Sequence, residues 1–170
     1  MAPLVRRSWS PCGQTPVFYQ RTRSHQKVSA IAALCVAPER DQVRLVFRLY
    51  PDENILTRHF TRFLGELLTT LAGPIQLVWD RLPGHRSRTV QTFIQNCDEL
   101  HADYLPPYAP ELNPVEYLWG HLKTNALANF APVELPALTH ATRCAARNTQ
   151  RRDALLRAFI HHAPLPLRLK

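Results

Sequence analysis

Asp80 and Glu116, with 35 residues between them, are the two acids whose setting in the chain points to chemistry. Asp80 closes a short apolar run, Ile75-Gln76-Leu77-Val78-Trp79, which reads as a buried strand ending in a carboxylate. Glu116 lies in Leu105-Pro106-Pro107-Tyr108-Ala109-Pro110-Glu111-Leu112-Asn113-Pro114-Val115-Glu116-Tyr117-Leu118-Trp119. The three prolines at the head of that stretch hold it extended, because proline fixes its own φ and restricts the residue before it. Asn113 then reads as a helix N-cap, Pro114 as the first helical residue and Glu116 as the third. Val115, Leu118, Trp119 and Leu122 recur at helical spacing, and Glu116 lies off their stripe. Its carboxylate is aimed from a helix mouth beside a stiff loop.

The elements that position the two acids follow from periodicity. Lys27 to Val36 and Gln42 to Tyr50 read as strands joined by the turn Ala37-Pro38-Glu39-Arg40-Asp41. A helix is expected from about Asn54 to Leu71, with Ile55, Phe60, Phe63, Leu64, Leu67, Leu68 and Leu71 facing inward. Gly73-Pro74 stops it, and the Asp80 strand follows. Ser87 to Asn96 is a second helix, Leu100 to Leu105 another strand, and the Asn113 helix is expected to reach about Ala128. Two further helices, over 133–147 and 151–162, finish the chain. Upstream, Val17-Phe18-Tyr19 beside turn signals predicts a short hairpin. The order is that of a mixed α/β domain. One helix and one strand between Asp80 and Glu116 can return the second acid to the same sheet edge. In open α/β sheets that edge, outside the carboxyl ends of the strands, holds ligands.

Each acid also has an ordinary reading. Glu116 would complete a capping box by bonding back to a free N–H at the helix start. Asp80 would serve as a strand-end turn residue. Together, two carboxylates form a hard-oxygen site suited to Mg²⁺ or Mn²⁺.

Composition bounds the class. A chain of 170 residues, 45% hydrophobic and 20% charged, is an ordinary globular length and balance for about one domain. The longest nearly apolar run, Val28 to Ala37, is too short to cross a bilayer. No signal-peptide core follows Met1, so the expected location is cytoplasmic, with no membrane partner. Cys12, Cys35, Cys97 and Cys144 are scattered without a CxxC pair, and are expected to be reduced, mostly buried thiols. Net charge is +5 over residues 1–28, −2 over 29–131 and +5 over 132–170. Basic ends around a slightly acidic centre suit a polyanion held outside a carboxylate site, though a basic surface also simply keeps a protein soluble.

The pattern L-P-P-Y-x-P-E-L-N-P-x-E-x-x-W around Glu116 resembles the third-carboxylate motif of DDE transposases of the mariner-like superfamily and its bacterial insertion-sequence relatives. Leu77-Val78-Trp79-Asp80-Arg81-Leu82-Pro83-Gly84-His85-Arg86-Ser87 is similar to the second-aspartate motif of the same family, with Arg81 where an asparagine is usual. His85, five residues after Asp80, would orient a carboxylate or contact phosphate, or cap the next helix. Leu4 to Pro16 is similar to the segment just after the family's first catalytic aspartate.

The resemblance runs from about Pro3 to Phe130. It implies an RNase H-like catalytic domain over 1–130, incomplete at its N-terminus, and a basic helical extension over 131–170. Asp80 and Glu116 would be catalytic metal ligands in Mg²⁺-dependent (or Mn²⁺-dependent) DNA strand cleavage and strand transfer. Such reactions are usually served by two ions about 3.5–4 Å apart. DNA (transposon ends and target) would be the partner, with self-association or association with an intact transposase.

The resemblance also places the first carboxylate on a central opening strand upstream of Met1, so that strand and ligand are expected to be missing, as is the family's helix-turn-helix region. Asp52 does not replace that ligand, since its strand lies three positions from the Asp80 strand in the family's order, about 14 Å away. Asp52 and Glu53 read as acids at the start of the next helix, and Asp98, Glu99, Asp103 and Glu111 as surface or loop acids. The expectation is a domain inactive by itself. The alternatives are a non-catalytic DNA-binding or dimerising fragment, or a degenerate gene remnant.

Overall fold

A computed structural model describes residues 6–7, 9–15, 17, 27–132 and 134–170. The expected hairpin at Val17-Phe18-Tyr19 lies outside the described residues, Val17 apart. Strands β1 (Val28–Val36) and β2 (Val43–Pro51) form an antiparallel hairpin with Leu34 opposite Leu45 and Val36 opposite Val43. Helix α1 (Thr57–Thr70) leads to β3 (Ile75–Trp79), α2 (Arg88–Gln95) and β4 (Leu100–Tyr104). β3 and β4 are parallel. Helices α3 (Pro114–His121), α4 (Leu135–Gln150) and α5 (Asp153–His162) complete the chain.

Period-two alternation gives the hairpin two apolar faces. Ile31, Ala33, Cys35 and Val46 pack with Phe60, Phe63, Leu64 and Leu67 of α1. The same cluster contains Trp79 of β3, Val90 of α2 and Leu100 of β4, so one helix stripe serves both strand pairs. On the other face, Ala32, Leu34, Val36, Val43, Leu45 and Phe47 meet Leu118 and Leu122 from the α3 region and Ala145, Leu156, Phe159 and Ile160 from α4 and α5. Residues in 131–170 thus share a core with β2 and α3.

The C-terminal segment is also tied by polar bonds. Gln150 Nε2 donates to the Leu45 carbonyl at 2.6 Å. Arg157 donates to the carbonyls of Asp41 and Lys170. The Lys170 N–H reaches the Arg40 carbonyl at 2.9 Å.

The strands form two separate pairs, β1–β2 and β3–β4. Among the described residues, β1 and β3 each have one strand neighbour only. Every residue of β1 is half-buried.

Other boundaries shift for local reasons. Helix α1 begins at Thr57, later than Asn54, because the His59 ring accepts the Leu56 N–H at 2.8 Å and stops the first turn there. Asp52 and Glu53 therefore precede the helix, whose first turn has no acid. Asp52 occupies a left-handed turn (φ 55°), its N–H bonded to the Lys27 carbonyl at 2.7 Å. Helix α3 gives way at Leu122–Ala126 to one π-helical turn, well before Ala128. There the Thr124 hydroxyl bonds the Gly120 carbonyl at 2.9 Å and the Asn125 amide bonds the His121 carbonyl at 3.1 Å, competing with the backbone ladder. Helix α4 continues to Gln150, past the expected end at 147.

The cysteines are less buried than expected. Cys12 and Cys144 are exposed, and Cys35 and Cys97 half-buried, because neither of the latter sits at a fully covered position. Cys35, facing α1, still has its thiol pushed up to about 11 by burial, against the opposing pull of Arg44.

Candidate carboxylate site at the edge of the parallel strands

The parallel pair delivers both motifs to one edge. Trp79 stands opposite Tyr104, and the ladder closes with the Leu105 N–H on the Trp79 carbonyl at 2.8 Å. Asp80 therefore leaves the sheet beside Leu105, where the proline-rich stretch begins. Arg81 ties the two exits together, its Nε–H donating to the Leu105 carbonyl at 3.0 Å. The stretch then turns once at Pro110–Leu112 and enters α3.

Asn113 is the N-cap of α3, its Oδ1 accepting the Val115 N–H at 3.1 Å, and Pro114 is the first helical residue. The Asn113 N–H bonds the Pro110 carbonyl at 3.0 Å. It is thus not free for the Glu116 carboxylate, and the capping-box reading of Glu116 is not realised. Glu116 is exposed; its N–H bonds the Asn113 carbonyl at 3.0 Å, and its carboxylate makes no hydrogen bond or ion pair with the described residues. Leu118, two residues further, is 1% exposed and fixes which face of α3 points inward.

Asp80 is held asymmetrically. Its Oδ1 accepts the Leu82 N–H at 3.0 Å and lies 2.8 Å from His85 Nδ1, whose own hydrogen bond goes to the Asp80 carbonyl oxygen at 3.2 Å. Oδ2 has no partner among the described residues, and the side chain is 42% exposed. The turn reading is realised through the Leu82 N–H, and the same oxygen is the one that faces the His85 ring.

His85 sits inside the loop. Its ring stacks on Trp79 at 4.2 Å and 8°, and meets the edge of Phe60 at 4.6 Å and 79°. Its carbonyl accepts from Gln91 Nε2 at 2.9 Å and from the Tyr104 hydroxyl at 3.2 Å. Ser87, not His85, is the N-cap residue of α2. The alternative that His85 caps this helix is not realised. Gly84 makes the arrangement possible, since a Cβ there would stand 2.4 Å from Phe60 Cε2.

The remaining acids lie apart from this cradle. Glu53 is 3.4 Å from the His59 ring, Asp103 accepts from Gln76 at 2.8 Å, and Asp98, Glu99 and Glu111 are exposed. Among the described residues no three His, Cys, Asp or Glu side chains gather as a metal-binding group. Sequence reasoning missed Trp79, Gln91, Tyr104 and Arg81 as supports of the site. Their partners come from separate elements, and no local pattern marks them.

The oxygen atoms of the two acids are of the kind a hard divalent cation takes. Mg²⁺ commonly takes one or two carboxylates and completes its shell with water and substrate phosphate. Asp80 Oδ2 and Glu116, both accessible, are donors of that kind.

The fold is mixed α/β, and the comparisons define its class. Residues 2–135 match the DDE superfamily endonuclease family, and the chain belongs to it. Among solved structures it is similar to the Mos1 transposase paired-end complex with left transposon end, at 19% identity and TM-score 0.66, covering 95% of this chain and 48% of that one. The Mos1 strand transfer complex gives 20% identity and TM-score 0.63, over 95% and 47% of the two chains. The Mos1 catalytic domain with Raltegravir and Mn gives 18% and 0.55, over 82% and 76%. At these identities the likeness establishes the RNase H-like fold of the transposase catalytic domain. The chain spans about half the length of the first two. The comparison with curated proteins found no match.

Proposed function

We propose that this chain is the greater part of a transposase-type DDE domain of the mariner-like, insertion-sequence kind, with Asp80 and Glu116 as two of its cation-binding carboxylates. The observation that carries the reading is the shared exit of Asp80 and Leu105 from parallel strands, with Glu116 delivered by the stretch that follows Leu105. The Mos1 catalytic domain structures with Mn and with Mg support a divalent cation as the group these acids hold. When bound, it would activate an attacking oxygen and stabilise the leaving 3′-oxygen of a phosphodiester. The chain's own part is to present Asp80 Oδ2 in a fixed direction and Glu116 unencumbered.

DNA is the proposed substrate and partner. The Mos1 paired-end complex contains a transposon end, and this chain has a matching charge pattern. Of the seven Arg and Lys residues after residue 131, Arg143, Arg147, Arg151, Arg152, Arg168 and Lys170 are exposed. Such side chains bind phosphates and make affinity fall with salt. On this reading the protein works at DNA in the cytoplasm.

Two carboxylates cannot fix a pair of ions, so the isolated chain is proposed to bind DNA without cutting it. The unpartnered edges of β1 and β3, among the described residues, support a further strand with the third carboxylate as part of the complete domain. The exposed basic side chains favour a second reading, a non-catalytic fragment that binds DNA or an intact transposase. The test is incubation of the chain with nicked and intact duplex DNA and Mn²⁺. Salt-sensitive binding that survives Asp80→Ala, without strand cleavage, is expected. Cleavage abolished by Asp80→Ala would overturn the inactivity, and absence of DNA binding would overturn the reading as a whole.

A further inference from the structure

We propose that His85 is a positioning residue, which fixes the Asp80 carboxylate through Oδ1 and so keeps Oδ2 directed at a divalent cation. This rests on the reading of Asp80 as a cation ligand.

The hydrogen bonds set the direction. His85 Nδ1 lies 2.8 Å from Asp80 Oδ1 and 3.2 Å from the Asp80 carbonyl oxygen. Both neighbours are acceptors, so Nδ1 carries the hydrogen. The Leu82 N–H donates to the same Oδ1 at 3.0 Å. With the Leu82 N–H bonded to Oδ1 and the His85 ring nitrogen 2.8 Å from it, rotation of the carboxylate would lose both contacts, and the electron pairs of Oδ2 remain available.

The ring is itself immobilised. It lies flat on Trp79 and edge-on to Phe60, and its side chain is only 14% exposed. The backbone beneath it is held by Gln91 and Tyr104, which bond each other at 2.6 Å. Trp79 adjoins Asp80 in sequence, so the ring that carries the imidazole and the acid it orients leave the same strand end. A His stacked in this way transmits the rigidity of the sheet to a carboxylate that is otherwise half in solvent. Partners of this type behind a metal ligand are worth about 10–100-fold in metal affinity.

The experiment measures Mn²⁺ binding to the whole chain, from the loss of the free-ion signal in electron paramagnetic resonance, for wild type, Asp80→Asn, His85→Asn and His85→Gln. An asparagine amide can place its N–H near the Nδ1 position, whereas glutamine mimics Nε2. Both are polar and neutral, and circular dichroism checks that each folds. Expected are loss of binding in Asp80→Asn, a fall of about 10–100-fold in His85→Gln, and substantial recovery in His85→Asn.

Equal weakening in both His85 variants, or none in either, with Asp80→Asn still abolishing binding, overturns the positioning role alone. Wild-type Mn²⁺ binding that is absent, or that Asp80→Asn leaves unchanged, overturns the cation-ligand reading and this proposal with it. If both His85 variants fail to fold, the residue is a structural support for its loop and the proposal is rejected.

Discussion

Arg81 crosses from the end of β3 to the end of β4 and donates its Nε–H to the Leu105 carbonyl at 3.0 Å. One side chain thereby ties the Asp80 exit to the start of the stretch that carries Glu116. An uncharged, shorter asparagine at this position would not span the same gap. Arg81→Ala is expected to cost about 1 kcal/mol, the ordinary net worth of such a bond near solvent. Urea unfolding followed by circular dichroism measures it, and an unchanged midpoint would mean the bond adds nothing.

Gly84 is a packing requirement. A Cβ at that position would stand 2.4 Å from Phe60 Cε2, and Phe60 is itself buried in the core. Gly84→Ala is therefore expected to destabilise by about 1–3 kcal/mol, as overpacking does. The double variant Gly84→Ala/Phe60→Leu removes the clashing edge. In a double-mutant cycle, its loss should be smaller than the sum of the two single losses. Additive losses would contradict a direct clash.

The C-terminal helices are part of the core. Leu156 is 1% exposed and packs in the cluster that contains Leu45 and Leu118. Leu156→Ala is expected to cost about 2–5 kcal/mol. Its unfolding should remain a single transition whether followed by far-ultraviolet dichroism or by tryptophan fluorescence. Two separable transitions would indicate that residues 131–170 fold independently of the rest.

Glu116 offers the opposite expectation. It is exposed and its carboxylate is bonded to none of the described residues, so Glu116→Gln should leave stability within about 0.5 kcal/mol of wild type. The same variant should weaken Mn²⁺ binding in titration calorimetry. A large loss of stability would restore the helix-cap role for this acid.

His121 predicts a pH dependence. Burial, then the nearby Arg152, holds its imidazole below the ordinary value of 6.5. As pH falls through that value, the unfolded chain takes up a proton before the folded one does, so stability declines on acidification. The contribution is complete above 6.5 and is lost as pH falls towards the depressed folded value. His121→Gln should flatten the slope of melting temperature between pH 7 and pH 5, compared at equal ionic strength. A slope unchanged by the substitution would assign the acid sensitivity to other groups.

The element order was legible from the sequence because apolar periodicity is a local property. The strand that ends at Trp79, the N-cap at Asn113 and the stripe through Phe60, Phe63, Leu64 and Leu67 depend on neighbours along the chain. The positions of Asp80 and Glu116 as the acids worth following were likewise visible from their flanking residues. Endpoints read less well where side chains from nearby turns compete with the backbone, as His59 does at the start of α1 and Thr124 and Asn125 do after α3.

What tertiary structure alone decided is how each acid is used. Whether Glu116 caps its own helix depends on the Asn113 N–H, which the Pro110 carbonyl had already taken. Whether His85 caps α2 or orients Asp80 depends on Trp79, Phe60, Gln91 and Tyr104, contributed by four different elements. Such contacts join residues distant in sequence, and no spacing rule encodes them. The chain by itself marked Asp80 and Glu116 by their flanking residues; packing decided which oxygen of Asp80 is left without a partner among the described residues.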